Sequence, residues 1–177
     1  GTETQTKRLA AAIEHHSDHE VTVFTKSYPS SNSPDTEYEL VRIPTWHLTP
    51  FVSTLTFVVG ALLLVLWRHR EFDLLQSMMI YPTGFVGYLC SALVGLPYFA
   101  WIRGGDYYFM KQHWLKRRTI RAVLNDTLVL VQTNRVQEDV RREFPRSTLR
   151  VLGNGVDIPV QTADGDAVIF VGRLEQQ

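Results

Sequence analysis

Arg103, Gly104, Gly105 and Asp106 are the residues with the clearest chemical potential in this 177-residue chain. They directly follow Pro97–Ile102, a short apolar run that predicts a buried strand. Two glycines let a backbone approach a ligand closely, while the arginine and the aspartate supply one cation and one anion. The same spacing also fits an ordinary turn with a salt-bridged arginine, so the motif predicts either a ligand-binding edge or a structural turn.

Two further positions could hold an anion. Gly1 and Thr2 begin a predicted helix, where free backbone N–H groups and the helix dipole attract phosphate, although a chain end accounts for the same residues. Arg173 follows the apolar run Ala167–Val171 and is well placed to meet an anion across a cleft.

Two segments raise the question of a membrane. Phe51–Trp67 carries no charge and lies near the lower limit of about 17 residues for a bilayer span, but a half-buried helix or one lying on a membrane surface fits equally. Further along, basic residues alternate with aromatic and apolar ones, which predicts either a solvated helix face or a contact with a membrane surface. The basic members are Lys111, Lys116, Arg117, Arg118 and Arg121, interleaved with His113, Trp114 and Leu115.

Several classes of function find no support in the composition. The chain holds 18 basic and 18 acidic residues, so the surplus of positive charge expected of a nucleic-acid-binding protein is absent. His15, His16 and His19 lie close together, but His15 and His16 are sequence neighbours and cannot share a helix face, which favours a polar turn over a metal site. Cys90, the single cysteine, lies in an apolar helical run and is expected to be a buried thiol.

Alternation of predicted strands and helices gives the fold class. Because several strands are apolar on both faces, we expect an α/β, Rossmann-like, doubly wound and mostly parallel sheet with helices on both faces. Its ligands would bind at the carboxyl ends of the strands. The predicted strands are Glu20–Thr25, Tyr38–Ile43, Phe72–Met78, Pro97–Ile102, Thr127–Val131 and Leu149–Leu152. The predicted helices are Gly1–Glu14, Phe51–Trp67, Thr83–Val94, Trp114–Asn125 and a segment from Thr133 or Asn134 to about Glu143.

Six motifs, in the right order, resemble those of retaining glycosyltransferases of the family 4 type, which have the two-domain GT-B fold. The motifs are Gly1–Ala10, His19–Thr25, Asp73–Leu75, Arg103–Asp106, Asn154–Asp157 and Phe170–Leu174. The resemblance covers nearly the whole chain. It implies an acceptor-binding N-terminal domain at residues 1–158 that lacks its first strand. Residues 159–177 would then be a linker and the first strand of a truncated donor-binding domain, so the chain alone is expected to be inactive.

The resemblance also implies a reaction. A sugar would pass with retention from a nucleotide-sugar to a lipid, glycan or small hydroxyl acceptor. Gly1, Thr2 and Arg173 would bind the donor diphosphate, while Arg103–Asp106 would line the acceptor side, with Asp106 as the candidate catalytic residue. No cofactor or metal is expected, because basic groups and a helix start would carry the charge. We expect a cytoplasmic protein, peripheral on the inner face of an anionic membrane.

Two departures from the family pattern keep a rival open. The histidine usually found after the third strand is missing, since Gln76, Ser77 and Met78 occupy that region. Two glutamates seven residues apart, as found in the family's second domain, are also missing. The rival is a non-enzymatic module that binds a nucleotide or a partner, and a weaker third possibility is a membrane protein anchored by Phe51–Trp67.

Overall fold

The computed structural model of the protein describes residues 2–28, 36 and 38–155, which contain six α-helices and six β-strands. The helices are α1 (Thr2–His16), α2 (Pro50–Trp67), α3 (Thr83–Val94), the single-turn α4 (Gly105–Tyr108), α5 (Trp114–Asp126) and α6 (Asn134–Glu143). The strands are β1 (Thr22–Lys26), β2 (Glu39–Ile43), β3 (Leu75–Ser77), β4 (Tyr98–Ile102), β5 (Leu128–Val131) and β6 (Thr148–Val151). Short 3₁₀ turns follow α2 at His69–Glu71 and α4 at Met110–Gln112.

All strand pairs in the described part of the chain are parallel. β1 pairs with β2, and β3, β4, β5 and β6 form a second sheet in that order. Parallel neighbours require crossover connections, which α3, α5 and α6 provide between the successive strands of the four-stranded sheet. The predicted α/β, Rossmann-like class with parallel strands flanked by helices is therefore confirmed, although the strands form two sheets where the sequence suggested one.

Helices α5 and α6 cover one face of the four-stranded sheet. Alternate residues of β4, including Ala100 and Ile102, join Val129 and Val131 of β5 in one buried cluster. From α5 and α6 the cluster receives Ile120, Val123, Leu124, Val140 and Phe144. Because side chains alternate across a strand, all these helical residues pack against the same side of the sheet.

A second buried cluster joins α2 to α3. Phe57, Ala61 and Val65 lie one turn apart on α2 and pack with Val86 and Cys90 of α3. On its other side α3 approaches α5, since a Cβ added to Gly84 would lie 3.4 Å from Val123 Cγ1. Helices α2, α3 and α5 are therefore consecutive neighbours in one layer.

Helix ends follow the sequence closely. Thr49 caps α2 by accepting a hydrogen bond from the Val52 N–H at 3.2 Å, with Pro50 at the first helical position. Thr133 caps α6 in the same way through the Val136 N–H at 3.3 Å. Gly95, with φ of +72°, ends α3 at the predicted residue.

Other boundaries differ from the prediction. The third strand covers only Leu75–Ser77 instead of Phe72–Met78, because the Phe72 N–H bonds back to the His69 carbonyl and closes a turn there. Helix α1 extends to His16, and α4 was not predicted. The expectations for Gly1 and for residues 156–177, including Arg173 and the domain boundary after 158, lie outside the described residues.

Candidate functional site

A polar cleft of about 360 Å³ lies where several segments meet at the carboxyl edge of the four-stranded sheet. Arg103 directly follows β4, Gln132 directly follows β5, and Asn154 follows β6. Carboxyl ends of parallel strands share one edge, which explains why three residues so distant in sequence converge. The first two turns of α1 close the cleft, whose lining residues are Thr2, Thr4, Gln5, Arg8, Arg103, Gln132 and Asn154.

Arg103 is the residue in the cleft with unused binding capacity. Its Nη1 donates to Asn154 Oδ1 at 2.8 Å, while its guanidinium stacks 4.3 Å from the centre of the Trp101 ring. Its Nε and Nη2 are buried and have no hydrogen-bond partner. Burial lowers the pKa of this guanidinium, and nearby Asp106 raises it. An arginine still keeps its charge, so an anionic oxygen would satisfy these two donors.

Asp106 holds the turn that presents Arg103. Its Oδ1 accepts from the Arg103 N–H at 2.9 Å, and its Oδ2 accepts from the Ile80 N–H at 2.7 Å. Burial raises the pKa of this carboxyl, while backbone N–H groups of Ile80, Arg103 and the turn lower it. The carboxylate therefore joins the turn after β4 to the turn after β3 and fixes both. Asp106 does not line the cleft, and its predicted catalytic role stays a prediction.

Gly104 gives the turn its shape. Its φ of +110° and ψ of −83° lie in a region that only glycine enters without strain. Gly105 has an ordinary backbone and begins α4. Of the two glycines predicted to permit close approach to a ligand, Gly104 is thus required by the backbone conformation.

The structure brings together residues that the sequence placed on opposite sides of a reaction. Thr2, expected at the donor diphosphate, and Arg103, expected at the acceptor side, line the same cleft. Gly104, Gly105 and Asp106 build the adjoining turn without lining it. Sequence reasoning missed Gln132, although its position directly after β5 carries the same signal as that of Arg103 after β4. Gln132 Nε2 donates to Asn154 Oδ1 at 3.2 Å, so Asn154 accepts from two cleft residues.

The region without the expected histidine has structural contacts instead. Ser77 is buried, and its hydroxyl donates to the Thr83 carbonyl at 3.1 Å. Gln76 Nε2 lies 3.3 Å from Met78 Sδ. These three side chains organise the turn between β3 and α3.

Neither the histidines nor the basic cluster forms a second centre. Among residues 2–28, 36 and 38–155, no group of three His, Cys, Asp or Glu side chains is arranged to hold a metal ion. Two members of the basic cluster, Lys111 and Arg117, form ion pairs with Glu143 of α6. Part of that cluster therefore ties the linker before α5, and α5 itself, to α6.

The model of Glycosyltransferase Family 4 matches residues 1–159, which include every described residue of the cleft and its turn. No curated protein matches the chain significantly.

Proposed function

The chain belongs to Glycosyltransferase Family 4, and we propose that it serves the transfer of a sugar, with retention, from a nucleotide-sugar to a hydroxyl group. The acceptor would be a lipid, a glycan or a small molecule. In this proposal the cleft between α1 and the carboxyl ends of β4, β5 and β6 is where donor and acceptor meet.

The observation that carries the proposal is the pair of buried, unpartnered donors on Arg103. Leaving a buried charged donor without a partner costs on the order of 1–3 kcal/mol or more, so the side chain favours a ligand that can accept. Nucleotide-sugars and their products offer phosphate oxygens. Negative charge on the diphosphate grows as the glycosidic bond breaks, and a donor already held in place stabilises that charge without reorganising.

Each residue would have a distinct role. Thr2, Thr4 and Gln5 would place the start of α1, where backbone N–H groups are free, beside the diphosphate. Arg103 would donate to an anionic or hydroxyl oxygen between donor and acceptor. Asp106 would act through Arg103 as a positioning residue. Gly1 and Arg173 remain proposed diphosphate ligands on the strength of the sequence motifs alone. A second, donor-binding domain after residue 158 is proposed on the same basis. The reaction would need no metal or other cofactor.

A binding experiment tests the cleft directly. Inorganic pyrophosphate is titrated calorimetrically into the wild-type chain and into the Arg103→Gln variant. Loss of a charge-assisted hydrogen bond worth about 1.5–3 kcal/mol predicts affinity lower by roughly 10- to 150-fold. Arg141→Gln, which removes an exposed arginine in the last turn of α6, is the matched control and is expected to bind as wild type. Equal affinity of all three chains would contradict the assignment.

A donor screen separates the enzyme from its rival. Nucleotide-sugars of different bases are incubated with the protein and candidate acceptors, and free nucleoside diphosphate is measured. Release of diphosphate that depends on acceptor supports transfer. Binding of the nucleotide-sugars without release, by a protein that carries both domains, would favour a non-enzymatic nucleotide-binding module.

A further inference from the structure

The charges of this neutral chain are unevenly distributed. Between residues 44 and 126 there are eight Lys and Arg residues but only four acidic ones, Glu71, Asp73, Asp106 and Asp126. Glu71 is bound to Arg68 at 2.7 Å, and Asp106 is buried. This part of the protein includes α2, α3 and α5, the three neighbouring helices of one layer. Basic residues therefore outnumber acidic ones in that layer.

Helix α2 carries an unusual amount of exposed apolar surface. Phe51, Leu55, Val59, Leu63 and Trp67 follow one another at intervals of four residues along its outer side, and all five are exposed. Within the described residues, α2 is the one helix long and apolar enough to cross a membrane by length and composition. The opposite side of α2 packs against α3, however, so α2 lies at the surface of a folded domain.

The two threonines of α2 donate their hydroxyl protons to backbone carbonyls of the same helix. Thr54 donates to the Pro50 carbonyl at 2.8 Å, and Thr56 donates to the Val52 carbonyl at 2.9 Å. Ser53 Oγ accepts from Lys26 Nζ at 3.5 Å. Hydrocarbon surroundings require such internal satisfaction, because each polar group left unpaired there costs several kcal/mol. The outer side of α2 can therefore lose water at little polar cost.

A second apolar patch lies at the same end of the helical layer. Helices α2 and α5 lead into the amino ends of β3 and β5, two parallel strands of the four-stranded sheet, so both helices begin toward the carboxyl edge of that sheet. The start of α2 exposes Trp46, Leu48 and Phe51, and the start of α5 with its lead-in exposes Phe109, Trp114 and Leu115. Only α3 separates them, and helices pack about 8–10 Å apart, so the two groups are roughly 20 Å from each other.

These six side chains and the neighbouring exposed Arg117 and Arg118 are here called the docking face. Arg117 also pairs with Glu143 at 3.6 Å, so Arg118 is the cation of this face with more charge to offer a headgroup. We propose that the docking face binds a bilayer containing anionic lipids, with the start of α2 against the membrane surface. Exposed tryptophans beside arginines suit the headgroup region, where the aromatic ring contacts both apolar and polar surroundings. The excess of cations complements anionic headgroups, whereas a second copy of this chain would bring the same cations face to face.

The docking face and the cleft share an edge. The cleft residues Arg103 and Gln132 follow β4 and β5 at the carboxyl edge where α2 and α5 begin. A bilayer on the docking face therefore lies next to the cleft and selects an acceptor carried by a lipid. This last step rests on the proposed sugar transfer, whereas binding to vesicles does not.

The test is flotation of the chain with vesicles, using matched pairs of exposed leucines. The double variant Leu48→Ser/Leu115→Ser changes one leucine of each patch, with exposed fractions of 79% and 54%. The control, Leu74→Ser/Leu93→Ser, changes leucines with exposed fractions of 54% and 62% at the opposite edge, before β3 and at the end of α3. Vesicles are either pure phosphatidylcholine or phosphatidylcholine mixed with phosphatidylglycerol.

We expect the wild type and the control to float with the mixed vesicles at low ionic strength and to bind less as salt rises. Leu48→Ser/Leu115→Ser should have an affinity for the vesicles at least about tenfold lower, because two apolar contacts are lost. Circular dichroism verifies that both variants are folded. No binding by wild type, or equal binding by the two double variants, would overturn the proposal. Light scattering gives a further outcome against the proposal. If the wild type is a dimer that only Leu48→Ser/Leu115→Ser abolishes, and the wild type does not bind vesicles, the face joins two copies of the chain.

Discussion

Replacing Gly104 with alanine tests whether backbone shape at one residue governs the site. A Cβ at Gly104 would have nothing within 4 Å, so crowding contributes nothing. The cost comes from φ of +110° with ψ of −83°, which an alanine adopts at about 1–3 kcal/mol. For a chain of this size we expect the midpoint of thermal unfolding to fall by about 2–4 °C per kcal/mol.

Gly105→Ala is the internal control for this prediction. Its Cβ would lie 3.4 Å from Phe109 Cδ2, an ordinary contact, and its φ is not positive. Alanine should therefore stabilise the protein by about 0.4–1 kcal/mol, chiefly by restricting the unfolded chain. Two adjacent substitutions of identical chemistry are thus expected to have opposite signs.

The assay is urea unfolding of both variants, analysed by linear extrapolation. Gly104→Ala should also weaken pyrophosphate binding, because any relaxation of the turn displaces Arg103, its immediate neighbour. If Gly104→Ala were as stable as Gly105→Ala, the turn would not depend on its positive φ. The account of how Arg103 is presented would then be refuted.

Two further predictions concern the buried interior. Gly87→Ala should destabilise the protein by about 1–3 kcal/mol, measured by thermal unfolding, because the new Cβ would lie 2.5 Å from Tyr98 Cδ2 where α3 meets β4; a wild-type midpoint would contradict this close approach. Burial raises the pKa of the Cys90 thiol to about 11, so at neutral pH roughly one part in 10⁴ is thiolate. Iodoacetamide should therefore modify Cys90 only as the pH approaches that value or in urea, and rapid labelling of the folded protein at neutral pH would show that the thiol is accessible.

Local chemistry made most of the secondary structure predictable. Thr49 with Pro50, Thr133, and Gly95 with Pro97 are strong end signals, so α2, α3 and α6 begin or end within a residue of the expected positions. The predicted length of the third strand was too great, because an apolar run does not show where a preceding 3₁₀ turn ends and the strand begins. Helix α4 has only four residues, too short for a periodic pattern to show.

The site was predictable only in part, because it depends on distant contacts. The motif at Arg103–Asp106 showed that a functional turn follows β4, but the role of Asp106 depends on the Ile80 N–H, 26 positions away in sequence. Thr2 and Arg103 share a cleft only because the first turns of α1 lie beside the carboxyl ends of β4, β5 and β6, and no local pattern encodes that placement. The Glycosyltransferase Family 4 match supports the expected class of protein, while donor, acceptor and retention remain proposals.

Zero net charge combined with segregated charge makes this molecule an electric dipole. A neutral body feels no net pull from a distant charged surface, and ions in solution damp its dipolar interaction within about 8 Å at physiological ionic strength. Electrostatics would then act mainly as an orienting torque in the last few ångströms of an encounter. Salt should consequently change the orientation in which the protein meets a charged surface more than it changes the rate of encounter.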